Sequence, residues 1–377
     1  MQCVKTTAGF AALKASWNSL LDRDDPYSIF LSHDWAAVWF DSYGSERTPY
    51  ILTVQDSSEL LGVLPLHAGH SGRSPFSKHD LQLMANGHSP CADLIAKSGH
   101  GSAVQQTLAS YLRQNALDWD LAVLPEIAAE AQLAHLPGAV GDSNCGIQQQ
   151  RSAPYIPLQD TWEAYRGRLS KRFVKVLRNN RNRVTRDATT EIELLENTDD
   201  ILAALDDVNA IGEKSWQGES GSAVGSNTEN QKIYRELVRT FAPRQQVRLW
   251  FLKRNGVRVA FEYHMKYGGV EFGLKTGFDR EFEKIGIGTF LDQSILEQLF
   301  ADDSLREYDL LGDFDFYKQR WTSHSRAYYR LTLYGGSWQA RTAALWNLRL
   351  LPMLRQQEWL QQLRTLAASR TTARQES

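Results

Sequence analysis

Gly286-Ile287-Gly288-Thr289 is one place in this chain where residue type and spacing suggest chemistry. Paired glycines let a backbone come close to a ligand, and a helix starting there aims free N–H groups at phosphate. A dinucleotide fingerprint would need a third glycine where Leu291 stands, and a nucleoside-triphosphate loop would need Gly-Lys-Ser/Thr. Neither is present. A second stretch, Gly312-Asp313-Phe314-Asp315-Phe316-Tyr317-Lys318, follows a predicted strand. Ligands of open α/β sheets collect beyond such strand ends. Lys318 is placed there to steady an oxyanion or hold an acceptor's phosphate. Two bases are candidates for taking a proton from an attacking amine or hydroxyl, Asp313 and Glu262. Alternation within VAFEYHM sets Glu262 on one face with Ala260 and His264. Burial there would raise its pKa. Glu213 and Trp216 are candidates to line an acceptor pocket.

A third feature is charge. Arg166, Arg168, Lys171, Arg172, Lys175, Arg178, Arg181, Arg183 and Arg186 occur with no acid before Asp187. Leu169, Phe173, Val176 and Leu177 fall at helical spacing, so the segment predicts an amphipathic helix with a cationic outer face. Such a face favours an anionic partner, with Arg172 and Lys175 as candidate substrate contacts. Phosphate-bearing small molecules rank above nucleic acid, because no nucleic-acid motif accompanies the charge. A solvated helix face is the plain alternative.

The elements that position these residues come in two similar sets. Pro49–Gly69 and Val247–Gly268 each read as apolar run, polar turn, apolar run, which predicts a hairpin. After each come a strand, a Gly-x-Gly turn, a helix and another strand. Gly99-His100-Gly101 matches Gly286-Ile287-Gly288, and the first strand of the earlier set is read in CADLI. The helices carry Val104, Leu108 and Leu112 in one copy and Leu291, Ile295, Leu296 and Leu299 in the other. A duplicated α/β unit with a mixed sheet accounts for this. The expected division is 1–152, 153–337, and a helical extension with a polar tail at 338–377. Gln217–Asn227 reads as a loop.

Composition narrows the class. A chain of 377 residues with 42% apolar residues can build two cores. The net charge of -2 argues against a polycation. Three scattered cysteines suggest neither disulfides nor zinc, and no metal is expected. His67 and His70 read as surface-loop residues. No run nears the roughly 18 apolar residues of a membrane span, and the N-terminus lacks a signal pattern. A cytoplasmic protein is expected. No serine-hydrolase elbow is present.

The order strand, Gly-x-Gly turn, helix, strand resembles the acetyltransferases of the GNAT superfamily. The wider chain is similar to the CelD-type (BioF-like) acetyltransferases, cousins of the FemAB aminoacyl transferases. The resemblance rests on SHDWAAVWF (Ser32–Phe40), GVLPL (Gly62–Leu66), LSKRFVKVLRNNRNRV (Leu169–Val184), EKSW (Glu213–Trp216), GVRVAFEY (Gly256–Tyr263) and YDLLGDFDFYKQRW (Tyr308–Trp321). It implies two tandem GNAT-like acyltransferase domains and acyl-CoA, acetyl-CoA first, as co-substrate. The donor's pyrophosphate would rest on Gly286, Ile287, Gly288 and Thr289, beside Lys275 and Thr276. Its thioester would sit where Val270–Gly277 separates from Tyr308–Gly312. Tyr317 would protonate the leaving thiolate. Glu283 departs from the family's usual Gln/Arg before the glycines. The resemblance further implies a small-molecule or carbohydrate-linked acceptor, direct attack, and a place in exopolysaccharide or cell-envelope metabolism. An aminoacyl-tRNA transferase and a non-catalytic scaffold, docked on a synthase complex or membrane, are the other expectations.

Overall fold

The computed structural model describes residues 1–69, 79–140, 144–215 and 224–350. Its strands are β1 (Gln2–Val4), β2 (Thr48–Asp56), β3 (Glu59–Gly69), β4 (Asp80–Leu83), β5 (Ile95–Ala96), β6 (Leu121–Ala128), β7 (Cys145–Pro157), β8 (Thr190–Leu195), β9 (Val247–Arg254), β10 (Val257–Tyr267), β11 (Val270–Phe278), β12 (Glu307–Asp309) and β13 (Ser325–Tyr334). They form one sheet in the order β1-β2-β3-β4-β6-β13-β7-β12-β11-β10-β9-β8, with β5 on β3.

The expected hairpins are β2–β3 and β9–β10. Asn255 and Gly256 close the second with φ of 52° and 80°. Two successive left-handed residues suit the twist of paired strands, and Asn-Gly adopts them readily. The duplication is plain in the pairing. β4 is antiparallel to β3 and parallel to β6. β11 is antiparallel to β10 and parallel to β12. Helix Gly101–Gln114 connects the first parallel pair and helix Ile287–Leu299 the second. The counterpart of β11 is therefore Asp80–Leu83, not CADLI. That later segment lies in an insertion, and only Ile95–Ala96 pairs, turning back onto β3.

The halves interlock at the centre. β7 bonds β13 through Cys145–Pro154 and β12 through Tyr155–Pro157. The expected division at 152/153 falls inside this one strand. β13, from the far end of the chain, lies between β6 and β7. It buries Leu331 and Leu333 among Leu108, Ala122 and Leu124 of the first half. Helix His33–Tyr43 crosses the other way, placing Trp35 against Phe241 and Asp34 2.8 Å from Arg244.

The basic segment is helical over Lys171–Thr185, capped by Ser170, whose hydroxyl accepts from the Phe173 N–H. Phe173, Leu177, Asn180 and Val184 are its buried stripe. Arg166 and Arg168 belong to the preceding short helix, Trp162–Arg168. His67 is not a loop residue. It is buried in β3, stacked on Trp39 and 3.2 Å from Arg47, because alternation turns it inward. His70, most of the Gln217–Asn227 stretch and residues 351–377 lie outside the described residues. The extension is helical through Trp338–Ala344 and continues with wider winding over Leu345–Leu350. No helix among the described residues is long and apolar enough to cross a membrane.

This interlocking predicts that residues 1–152 produced alone do not form a stable domain. The fragment lacks β13, so β6 presents an unpaired apolar edge. It also lacks the apolar cover that Leu331 and Leu333 give to Leu108, Ala122 and Leu124, a burial that contributes roughly 1.5–3 kcal/mol per leucine. Size-exclusion chromatography and circular dichroism of the fragment check this, with aggregation or loss of cooperative melting expected.

Candidate functional site

β11 and β12 are paired only from Val270–Glu307 to Phe272–Asp309. Past that point they part. Asp309 ends the pairing from within: its carboxylate accepts from the Tyr27 hydroxyl at 2.5 Å and from the Leu311 N–H at 2.8 Å. Leu310 donates instead to Pro154 O on β7, and Leu311 and Gly312 turn away with φ of 48° and 57°. β11 meanwhile continues to Phe278, bonded to β10 alone. The gap opens a cavity of about 840 Å³.

Ten of the candidate residues face this cavity: Glu262, Lys275, Thr276, Gly286, Ile287, Gly288, Thr289, Asp313, Tyr317 and Lys318. Gly87–Pro90, Glu126, Gln150 and Arg151 of the first half complete its wall. The other candidates are elsewhere. Arg172 and Lys175 are exposed on the basic helix, and Glu213 is exposed at the end of helix Thr198–Glu213; none of the three lines the cavity. Trp216 lies outside the described residues.

The first half has the same parting, but its gap is occupied. β4 and β6 pair from Asp80–Leu121 to Gln82–Val123. There the insertion fills the gap, with the Ala92 N–H donating to Glu126 O at 2.9 Å. A Cβ on Gly101 would stand 2.6 Å from Gln132 Oε1, so that helix start is covered. The insertion also carries Gly87–Pro90, which walls the other cavity. Arg151 fixes that wall, reaching Glu126 Oε2 at 2.8 Å, Pro90 O at 2.6 Å and Gly312 O at 3.2 Å.

At the cavity's glycine end, Gly286 has φ 79° and no side chain caps helix Ile287–Leu299. A Cβ at Gly286 would meet Asn180 of the basic helix at 2.3 Å. Glycine is thus required twice, for conformation and for space. The N–H groups of Ile287, Gly288 and Thr289 precede any intrahelical acceptor, and the helix dipole adds to their pull on an anion. Glu283 also lines the cavity and opposes that pull. Across from it, burial and then Lys318 push the Lys275 ammonium down to about 8. Burial lowers Lys318 too, and its Nζ donates to Leu311 O at 2.8 Å. Burial and Lys275 push His88 down to about 4.

The floor is a buried row of alternating charge. His264 donates to Glu262 Oε2 at 2.8 Å and to Glu271 Oε1 at 3.0 Å. Glu271 faces Arg248 at 3.2 Å, and Arg248 reaches Glu196 at 2.9 Å. Tyr308 donates to Glu262 Oε2 at 3.0 Å. It reaches across β11 because Gly273 lies between; a Cβ there would sit 2.8 Å from the Tyr308 hydroxyl. Burial would lower the His264 pKa, but the two glutamates outweigh it and lift it to about 9. Glu262 corrects the expectation of a raised pKa. Burial does raise it, but His264, Asp292 and Tyr308 together hold the carboxyl below its ordinary value. His264, Glu271, Asp292 and Tyr308 were not singled out from sequence. The available signal was Glu262-x-His264 inside an otherwise apolar strand, and Asp292 amid the apolar positions of its helix.

The elevated His264 pKa has a consequence for stability. A group held protonated by the fold stabilises it fully below its unfolded pKa, near 6.5. That contribution is lost as pH rises through about 9. Melting temperature should therefore fall between pH 6.5 and 9, and do so less in His264→Gln; a flat wild-type profile would contradict the charged row.

The family model of the acetyltransferase (GNAT) domain matches residues 171–319, which hold the glycine turn, the parted strands and the floor. No curated protein matches the chain. Among similar solved structures is the C-terminal domain of a putative lysylphosphatidylglycerol synthetase from Agrobacterium fabrum. It is 12% identical, with 89% of this chain and 97% of that one covered and a TM-score of 0.53. FemX is 11% identical, covering 93% and 100%, with a TM-score of 0.52. A conserved protein of unknown function from Bacteroides thetaiotaomicron is 11% identical, covering 88% and 99%, also at 0.52. Identities this low speak for fold. Taken with the repeated strand pairing, they show that the chain shares a tandem α/β fold with these structures, and residues 171–319 are the part that matches the acetyltransferase (GNAT) domain.

Proposed function

We propose that the protein is an acyltransferase that moves an acyl group, acetyl first, from acyl-CoA to an amine or hydroxyl by direct attack. The observation that carries this is the cavity, where an uncapped helix N-terminus faces strands parted at one end. The donor's pyrophosphate would be held by the N–H groups of Ile287, Gly288 and Thr289, and its thioester would lie in the gap beside Gly273. The fit is supported by the glycine cradle at Gly286 and opposed in part by Glu283. Lys275 and Lys318 supply positive charge on the opposite wall, where Lys318 would steady the oxyanion that forms on attack. The acceptor would enter past Asp313 and Tyr317, against Gly87–Pro90. A small or carbohydrate-linked acceptor suits this space, and exopolysaccharide or envelope metabolism is its proposed setting, in the cytoplasm. The division at 152/153 would mark two repeats rather than two separable units.

A second reading is aminoacyl transfer from aminoacyl-tRNA. Likeness to FemX and to a lysylphosphatidylglycerol synthetase fits it, as do Lys318 and the exposed cations of Lys171–Thr185, including Arg172 and Lys175. The two readings separate by ligand. Acyl-CoA should raise the melting temperature of the wild type by mass action. Thr289→Glu should remove the shift, because its carboxylate occupies the phosphate position, while an acid in the first helical turn leaves the fold intact. A shift with tRNA but none with any acyl-CoA would favour the second reading. No shift with either would contradict both.

A further inference from the structure

Asp292 stands in the second turn of helix Ile287–Leu299 and lines the cavity beside Glu262. Glu262 Oε1 and Asp292 Oδ2 are both buried, and no N–H or hydroxyl among the described residues reaches either. An acceptor oxygen left bare in this way costs about 1–3 kcal/mol, and more when charged. The two carboxyls lie within reach of each other. Two carboxylates cannot hydrogen-bond without a proton between them. A single shared proton would satisfy both orphan oxygens at once.

The surroundings say where that proton resides. Glu262 already accepts from His264 and from Tyr308, so it is the better-solvated anion. Asp292 Oδ2 has no such donor among the described residues. Burial first, and then the Glu262 charge, push its pKa well up, against the more distant pull of Lys318 and Arg320. Around the pair, β9 gives Arg248 behind Glu271, β10 gives His264, β11 gives Glu271 and Lys275, β12 gives Tyr308, and the 318–320 turn gives Lys318 and Arg320, with Arg172 of the basic helix behind Arg320. Glu283, Asp313 and Asp315 line the same cavity.

Resting on the acyl-transfer reading above, we propose that Asp292 and Glu262 are a one-proton carboxyl pair that serves as acid and base in the same turnover. The acyl donor is R–CO–X and the acceptor H–Nu. The Nu–C bond forms and the C–X bond breaks. The proton of the pair passes to X, which departs as HX. The proton of Nu–H passes to the pair and restores its starting state. Atoms and charge balance as R–CO–X + H–Nu giving R–CO–Nu + HX, and no further co-reactant is needed. A pair of coupled carboxyls titrates as a unit, which lets one member stay acidic while its neighbour stays ionised. Asp292 is accordingly a catalytic residue, and His264, Glu271 and Tyr308 are positioning residues that keep Glu262 anionic. Gly273 leaves the opening through which Tyr308 and the pair face the gap.

The test has two arms on the full chain. In the first, infrared spectra of the ligand-free protein at neutral pH are compared with those of Asp292→Asn and Glu262→Gln. A carboxylic-acid C=O band should be present in the wild type and missing from both variants. Its absence from the wild type, or its persistence in Asp292→Asn, overturns the shared proton. In the second, turnover of acetyl-CoA with a panel of amines and sugars is followed against pH. Asn keeps the shape and a hydrogen-bond donor to Glu262 but has no transferable proton. Asp292→Asn should lower kcat by roughly 10²–10⁴-fold, leave KM for acetyl-CoA within a few-fold, and lose the alkaline limb of the wild-type pH profile. An unchanged kcat and pH profile overturns the proposal while the acyl-transfer reading stands. A wild type that turns over neither acetyl-CoA nor an aminoacyl ester overturns that reading and the proposal with it, whatever the infrared band shows. If Asp292→Asn fails to fold, Glu262→Gln supplies the same comparison in both arms.

Discussion

Asp309 is the point on which the site depends. It is fully buried, yet it carries a carboxylate at the last paired position of β12. Tyr27, from the first thirty residues of the chain, donates to one oxygen, and the Leu311 N–H donates to the other. Arg326 of β13 lies 3.7 Å away. Three distant parts of the chain therefore meet at the residue that stops the parallel pair. Without that stop, β12 would continue beside β11 and close the gap. With it, the backbone turns at Leu311 and Gly312, and everything after Phe272 on β11 is left open to a ligand. Non-glycine residues at positive φ are strained, so Leu311 is held in place by its surroundings rather than by its own preference.

The same interlocking explains why two copies of one unit do different things. In the first copy the insertion between β4 and helix Gly101–Gln114 enters the gap and covers the glycine turn. The same insertion becomes the outer wall of the second copy's cavity. Arg151 joins this wall to Gly312 through three separate acceptors. β13 seals the arrangement by threading between β6 and β7. The charged floor is stabilised by alternation: each buried charge from Arg248 to Glu262 has an opposite neighbour, which is the condition under which buried ions are tolerable.

Much of this was legible in the residues. Hairpin turns, the two Gly-x-Gly starts and helical spacing are local signals, and each of these elements is present in the fold. The cluster around Gly286, Lys275 and Lys318 was reachable because glycine turns and strand ends have local signatures. What was illegible depends on contacts between distant segments. β12 is short because of Asp309 and Tyr27, which no window of sequence connects. The counterpart of β11 was misplaced by the insertion, whose apolar CADLI looks like a strand but serves as a plug. β13 follows the second set of elements in sequence yet pairs with β6 of the first half, a contact that no local signal announces. The pKa of Glu262 was expected to rise on burial alone; its sign is set by His264, two residues away on the same face. His264, Glu271 and Asp292 come from three elements and form a network only once the sheet and helix are stacked.

Hydrogen–deuterium exchange of the full chain with and without acetyl-CoA measures the central claim most directly. A donor bound in the cavity between the halves should slow exchange at the amides of Gly286–Phe290 and, together with them, at Gly87–Ser89 on the opposite wall. Protection confined to the basic helix Lys171–Thr185, or none at either wall, would contradict the account.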